Sequence, residues 1–202
     1  VVVLVNGSPV VLGDVPPHAK ALVEAWLGGQ AAGGGIADVL SGRVNPSGKL
    51  AETVPHRLED SSSYLNFPGD SQVVRYGEGL FVGYRGYDAS HLDVAFPFGF
   101  GLSYTTFVLS DLEVTTSGSV AEQTLAATVG VTVANTGDVD GAEVVQVYVE
   151  DPESSVTRPL RELKGFARVA LAAGASTRVS IALDQRAFSF WSELHGRWAV
   201  EA

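Results

Sequence analysis

The hydrophobic rhythm of the chain changes once, and that change divides it. Residues 1–5, VVVLV, form an unbroken β-branched run, the pattern of a strand covered on both faces of a parallel sheet. Asn6-Gly7-Ser8-Pro9 breaks the run, and Pro16-Pro17 marks a loop or a helix entry. Residues 21–27, ALVEAWL, are apolar again; Gly28-Gly29 stops them, which favours a strand over a short helix. Over residues 30–40, Ala32, Ile36, Val39 and Leu40 recur at helical spacing, and Ser41-Gly42 supplies a glycine cap. Residues 44–48 read as a turn and 50–54 as extended chain. Strand, helix and strand in this order describe part of an open α/β sheet. The first strand starts at residue 1 with no turn or cap before it, so further chain is expected ahead of Val1.

From about Leu109 the period drops to two. Val129, Val131 and Val133 alternate with small or polar neighbours, as do Val145, Val147 and Val149. Short alternating segments at roughly 8–12-residue spacing predict a β-sandwich of immunoglobulin or fibronectin type III shape. Between the two regimes lies a segment rich in rings and glycines, residues 74–107. Tyr76, Phe81, Tyr84, Tyr87, Phe96, Phe98, Phe100, Tyr104 and Phe107 are interleaved there with Gly77, Gly79, Gly83, Gly86, Gly99 and Gly101. Ring packing and tight glycine paths make it an ordered junction, not a floppy linker. The expected division is therefore an α/β part over 1–108, with the junction at about 74–108, and an all-β part over 109–202.

Composition narrows the chemistry. The 202 residues carry a formal charge of −10, which argues against nucleic acid and fits a soluble protein handling neutral ligands. No apolar run of about 18 residues is present, so no membrane-spanning helix is expected. There is no cysteine, so disulfides and thiolate metal sites are excluded. His18, His56, His91 and His195 are scattered without metal-site spacing, and no metal is expected.

Three separated motifs give the chain a family resemblance that runs over essentially all of it. They are the stretch from LVEAWLGGQ through ADVLSGRVNPSGKL to TVP, the phrases YGEGLFVGYRGYD and FPFGFGLSYTTF, and VANTGDVDGAEVVQVYV with RPLRELKGF. The first two closely resemble the C-terminal part of glycoside hydrolase family 3 enzymes, the β-glucosidase group. The third resembles the fibronectin type III-like domain that closes many of them. Ala51 stands where the family more often has proline.

The resemblance implies part of an α/β sandwich with a flavodoxin-like sheet, followed by a fibronectin type III-like sandwich lacking its last strand. It implies a C-terminal piece of a retaining β-glycosidase, most simply a β-glucosidase acting on terminal non-reducing β-D-glucosyl residues without a cofactor. Such an enzyme needs two carboxyl groups about 5–5.5 Å apart. The family takes its nucleophilic aspartate from an N-terminal TIM-like barrel and its acid/base glutamate from chain ahead of the VVVLV strand. No catalytic residue is therefore assigned here, and the chain alone is expected to be inactive, supplying a brace and one wall of the cleft. The implied partners are that barrel, the rest of the α/β domain and a small β-glucoside. The resemblance also leaves room for a homodimer of the full enzyme. A piece of a nicked or permuted enzyme is a variant of the same idea, and a non-catalytic carbohydrate-binding or interaction module is the alternative from another class.

Glu78, in YGEGL, is the one local candidate for substrate binding. Desolvation in a ring-rich loop is a route to an acid's working range. The simpler expectation is that it accepts hydrogen bonds from loop amides or pairs with Arg75 or Arg85. The rings of 76–107 suit a packed junction better than a sugar platform, and Trp26, Trp191 and Trp198 are expected in the core. Residues 28–35, GGQAAGGG, lack the Lys-Ser/Thr ending of a phosphate loop and have Asp38 where a GxGxxG pattern needs its last glycine, so helix packing against the sheet accounts for them. No GxSxG elbow occurs. Arg158, Arg161 and Lys164 read as a solvated basic edge or a contact with the neighbouring domain. Residues 59–64, EDSSSY, read as an exposed loop, which the resemblance places near the cleft entrance.

Overall fold

The computed structural model describes residues 1–201, which form two units, 1–102 and 103–201. In the first, β1 (Val2–Leu4) pairs in parallel with β2 (Leu22–Glu24), as the apolar runs predicted. Pro16 and Pro17 open the single turn α1 (Val15–His18), where a missing N–H costs nothing. A 3₁₀ turn at Gly29–Ala31 leads into α2 (Ala32–Leu40), and Gly42 follows at φ +74°, the left-handed position that favours glycine.

The expectation of a strand buried on both faces is corrected. β1 is half-buried, and the flanking Val1 and Val5 are 74% and 59% exposed. Among the described residues β1 has β2 as its sole strand partner, and α2 contributes no buried side chain to cover them. The extended stretch before Val54 forms, but its strand proper is short: β3 (Val54–Pro55) pairs with β4 (Val94–Phe96). One further helix, α3 (Tyr84–Ala89), lies between them in the chain.

The second unit is a β-sandwich. One sheet has the order β5–β6–β9, from β5 (Phe107–Ser117), β6 (Ala126–Asn135) and β9 (Ser176–Leu183), all antiparallel. The other pairs β7 (Gly141–Val149) with β8 (Glu162–Leu171). The predicted alternation is real: Val129, Val131 and Val133 of β6 meet Val145, Leu171, Val179, Ile181 and Leu183 in one core. A short helix α4 (Gln185–Phe188) follows, its amides at Arg186 and Ala187 capped by the Asp184 carboxylate. The hairpin β10 (Phe190–Ser192) and β11 (Arg197–Ala199) completes the order.

Asn135 fastens one end of this sandwich. Its side chain is 1% exposed. The carboxamide oxygen accepts from the Thr105 hydroxyl at 2.6 Å and from the Gly137 amide at 3.2 Å. Its nitrogen donates to the carbonyls of Val139 at 2.9 Å and Leu171 at 3.2 Å. Gly137 is required by this closeness, because a Cβ there would lie 2.3 Å from the Thr105 hydroxyl. The segment after β11 is tied in a similar way. The Gln123 amide exchanges two 2.9 Å bonds with the backbone of Val200, and the Glu201 carboxylate accepts from the Ser154 hydroxyl and from the amide and hydroxyl of Ser155.

Two outcomes follow. Asn135→Ala should lower unfolding stability in urea by about 3 kcal/mol, since four buried bonds are lost, and Thr105→Val by only about 1 kcal/mol. The Ser155 hydroxyl holds the Glu201 carboxyl below its ordinary value, with Ser154 and Arg158 adding to this against the effect of burial. A depressed folded-state value means that this contact stabilises above the ordinary carboxylate range and is lost as pH falls through the lowered value. Glu201→Gln should flatten that acid limb in a pH series of thermal unfolding; an unchanged limb would show that the contact contributes nothing.

Candidate functional site

The junction segment is organised by a ribbon. Residues 48–55 run beside 94–101: Leu50 donates to the Phe100 carbonyl at 2.8 Å, Gly99 donates back to Leu50 at 2.7 Å, and Lys49 Nζ reaches the Gly101 carbonyl at 2.7 Å. Gly101 lies so near Gly48 that an added Cβ would stand 2.3 Å from its carbonyl oxygen. That close approach explains why FGFGL needs glycine at position 101, where it meets NPSGKL. Residues 56–93 thus form an excursion whose ends are held together. Tyr84 stacks on Phe98 at 4.7 Å, and Phe96 lies 5.5 Å from Phe100. Tyr87 is buried, whereas Tyr76 is 84% exposed. The ring packing expected of this segment is therefore real around 84–100 and does not extend to Tyr76.

Glu78 sits within the excursion, half-buried, and its carboxylate accepts from the Asn66 side-chain amide at 2.9 Å. Gly77 makes room for that amide, which would otherwise stand 3.0 Å from a Cβ. The bond ties two loop strands twelve residues apart, a bracing arrangement.

The other carboxylate of note is Asp60. Arg57 Nη2 approaches it to 2.5 Å, and that hydrogen bond holds the Asp60 carboxyl below its ordinary value. Next to it, burial pushes the Tyr87 phenol up while a hydrogen bond with Ser61 opposes the shift. Residues 59–64 are corrected accordingly. Glu59 and Tyr64 are exposed, but Asp60 and Ser61 to Ser63 are half-buried because Arg57 and Tyr87 hold them in.

Three further expectations change. Trp191 and Trp198 are not core residues: they are 50% and 40% exposed. They are cross-strand partners on β10 and β11, where they contact each other edge to face at 5.5 Å and the Arg186 guanidinium lies over Trp198. The two rings and the Arg186 guanidinium therefore cover one another. Trp26 is half-buried, at φ +49°. The basic cluster is only partly a solvated edge: Arg161 is exposed, but Arg158 and Lys164 are not. The Arg158 side chain is 8% exposed, with Asp151 at 3.0 Å, Glu162 at 3.7 Å and the Phe190 ring at 5.7 Å, while Lys164 pairs with Glu162 at 3.2 Å. Arg161 lies over Tyr148 at 5.4 Å.

In the glycine-rich stretch, Gly28 is the residue in close contact, 2.7 Å from the Ala32 methyl if given a Cβ. Gly33, Gly34 and Gly35 face open space, so packing of α2 on a sheet does not explain them. Among the described residues no group of three His, Asp or Glu side chains converges as a metal ligand set. The excursion offers a braced, ring-rich surface in which Asp60 and Glu78 are each tied to a neighbouring side chain.

Residues 1–104 match the glycosyl hydrolase family 3 C-terminal domain, and residues 143–202 match a fibronectin type III-like domain. Over all 202 residues the chain is 51% identical to thermostable β-glucosidase B of Acetivibrio thermocellus and 49% identical to exo-α-(1→6)-L-arabinopyranosidase of Bifidobacterium longum, covering 26% of each. It superposes on the crystal structure of a family 3 β-glucosidase from Bifidobacterium adolescentis with a TM-score of 0.91 at 50% identity, over 99% of this chain and 29% of that one. The chain thus spans about a quarter of the length of the curated relatives it matches. With both its α/β half and its β-sandwich accounted for, the chain belongs to glycosyl hydrolase family 3.

Proposed function

We propose that the chain works as the C-terminal part of a retaining β-glycosidase of the β-glucosidase type. The observation that carries this is the superposition on a family 3 β-glucosidase over nearly the whole chain at 50% identity. In this reading the two working carboxylates stand on chain ahead of Val1, with the barrel and the rest of the α/β domain. The ion pair of Asp60 with Arg57 and the bracing bond of Glu78 support that division. The excursion over 56–93 then forms part of the cleft wall, and the β-sandwich is a brace.

The sugar is read elsewhere. The chain is as similar to a β-glucosidase as to an α-L-arabinopyranosidase, 51% against 49%, so residues shared at this level do not distinguish the two glycons. The alternative of a carbohydrate-binding module needs coplanar exposed rings. Trp191 and Trp198 meet at 63°, which gives a pyranose no common face to lie on.

Two measurements test the proposal. The purified 202-residue chain should release no aryl group from an aryl β-glucoside, whereas the longer enzyme that carries it should turn the substrate over; hydrolysis by the short chain overturns the division of labour. In the longer enzyme, Glu78→Gln should keep kcat within about tenfold of the parent, because removal of a true general acid costs on the order of 10²–10⁴. A loss in that larger range would make Glu78 catalytic.

A further inference from the structure

The Glu78 carboxylate is held by a neutral amide: Asn66 Nδ2 donates to its Oε2 at 2.9 Å. An arginine, one of the partners the sequence left open, would neutralise the charge and take both oxygens. The amide does neither. Their bond uses Oε2 and one amide hydrogen. Glu78 Oε1, the second amide hydrogen and Asn66 Oδ1 have no other partner among the described residues.

The pair is placed by a turn over residues 76–79, closed by the Gly79 amide on the Tyr76 carbonyl at 3.2 Å. At one flank, Gly77 lets the Asn66 carboxamide lie against the backbone, since a Cβ there would stand 3.0 Å from Oδ1 and 3.2 Å from Nδ2. At the other flank, Gly79 sits at φ +56° with no atom within 4 Å of where a Cβ would be. The half-buried Glu78 is thus closed by Asn66 on one side and open on the other. Tyr76, 84% exposed, leaves its ring uncovered at the start of the same turn.

A fixed acceptor beside a fixed donor is the complement of a vicinal diol, because every sugar hydroxyl both donates and accepts. We propose that Glu78 and Asn66 form a hydroxyl-binding subsite for the leaving-group sugar of a saccharide substrate. Glu78 Oε1 accepts from one hydroxyl, and Asn66 Nδ2 donates to its neighbour. The site rests on the retaining-glycosidase reading above. It takes the leaving group because the glycon is bound around the two working carboxylates, which that reading places on chain ahead of Val1.

The longer enzyme tests this on two substrates that share a glycon, a β-glucosyl disaccharide and an aryl β-glucoside whose leaving group carries no diol. Glu78→Gln keeps an acceptor for Asn66 but removes the charge. It should lower kcat/KM on the disaccharide about tenfold, mainly through KM, because hydrogen bonds to charged groups are the stronger ones. The aryl glucoside should stay within about twofold of the parent. Asn66→Ala should give the same selective loss, as should Gly77→Ala, whose methyl displaces the carboxamide. An equal loss on both substrates overturns the proposal, because Glu78 is then only a brace. Unchanged kinetics on both also overturn it. A parent enzyme that cleaves neither glucoside overturns the glycosidase reading, and the subsite falls with it; a parent active on both separates the two questions.

Discussion

The sandwich depends on one buried side chain that leaves no hydrogen-bonding capacity unused. Asn135 has two donors and an acceptor able to take two bonds, and all four are engaged. The partners come from the start of β5, the turn after β6 and the end of β8, and the Asn135 backbone amide donates to Ala175 ahead of β9. One amide therefore sets where several strands begin and end. In a core made of Val, Leu and Ile, which pack in many near-equal ways, a saturated polar group is the element that admits only one arrangement.

The two units are built to different degrees of self-sufficiency. In 103–201 the buried valines, Leu171, Ile181 and Leu183 form a continuous core. In 1–102 the buried apolar residues among those described are Leu12, Val54, Pro55 and Tyr87, while Leu27, Leu65, Phe67 and Leu102 are more than two-thirds exposed. So much apolar surface on a parallel strand pair, a helix and a ring-rich excursion is what an α/β layer shows before its covering layers are added. That agrees with a chain spanning about a quarter of its relatives, and with a functional reading in which it supplies a wall and a brace to chemistry carried by other residues.

Arginine is the recurring fastener in the β-sandwich, each time joining separate segments through several acceptors at once. Arg158 joins the loop after β7 to β8 and the Phe190 ring, and Arg178 joins both edges of a three-stranded sheet. The planar guanidinium suits both tasks, because its fork of donors can serve a carboxylate and a second acceptor or ring at once.

The sequence by itself determined the order of elements and the change from helical to alternating period, because periodicity is a local property of side chains. It also carried the parallel β1–β2 pair, the valine face of β6 and the three motifs that identify the family. Only the tertiary structure decided which partners each residue meets. Trp191 and Trp198 looked like core residues by size, yet they sit half-exposed on a two-stranded hairpin, against each other and Arg186. Arg158 looked solvated by charge, yet two carboxylates and a ring enclose it. Gly130 sits in an ordinary strand pattern, and its requirement comes from an arginine on the neighbouring strand, 48 residues on in the chain. Such contacts join residues distant in sequence, and a one-dimensional pattern carries no distance between them.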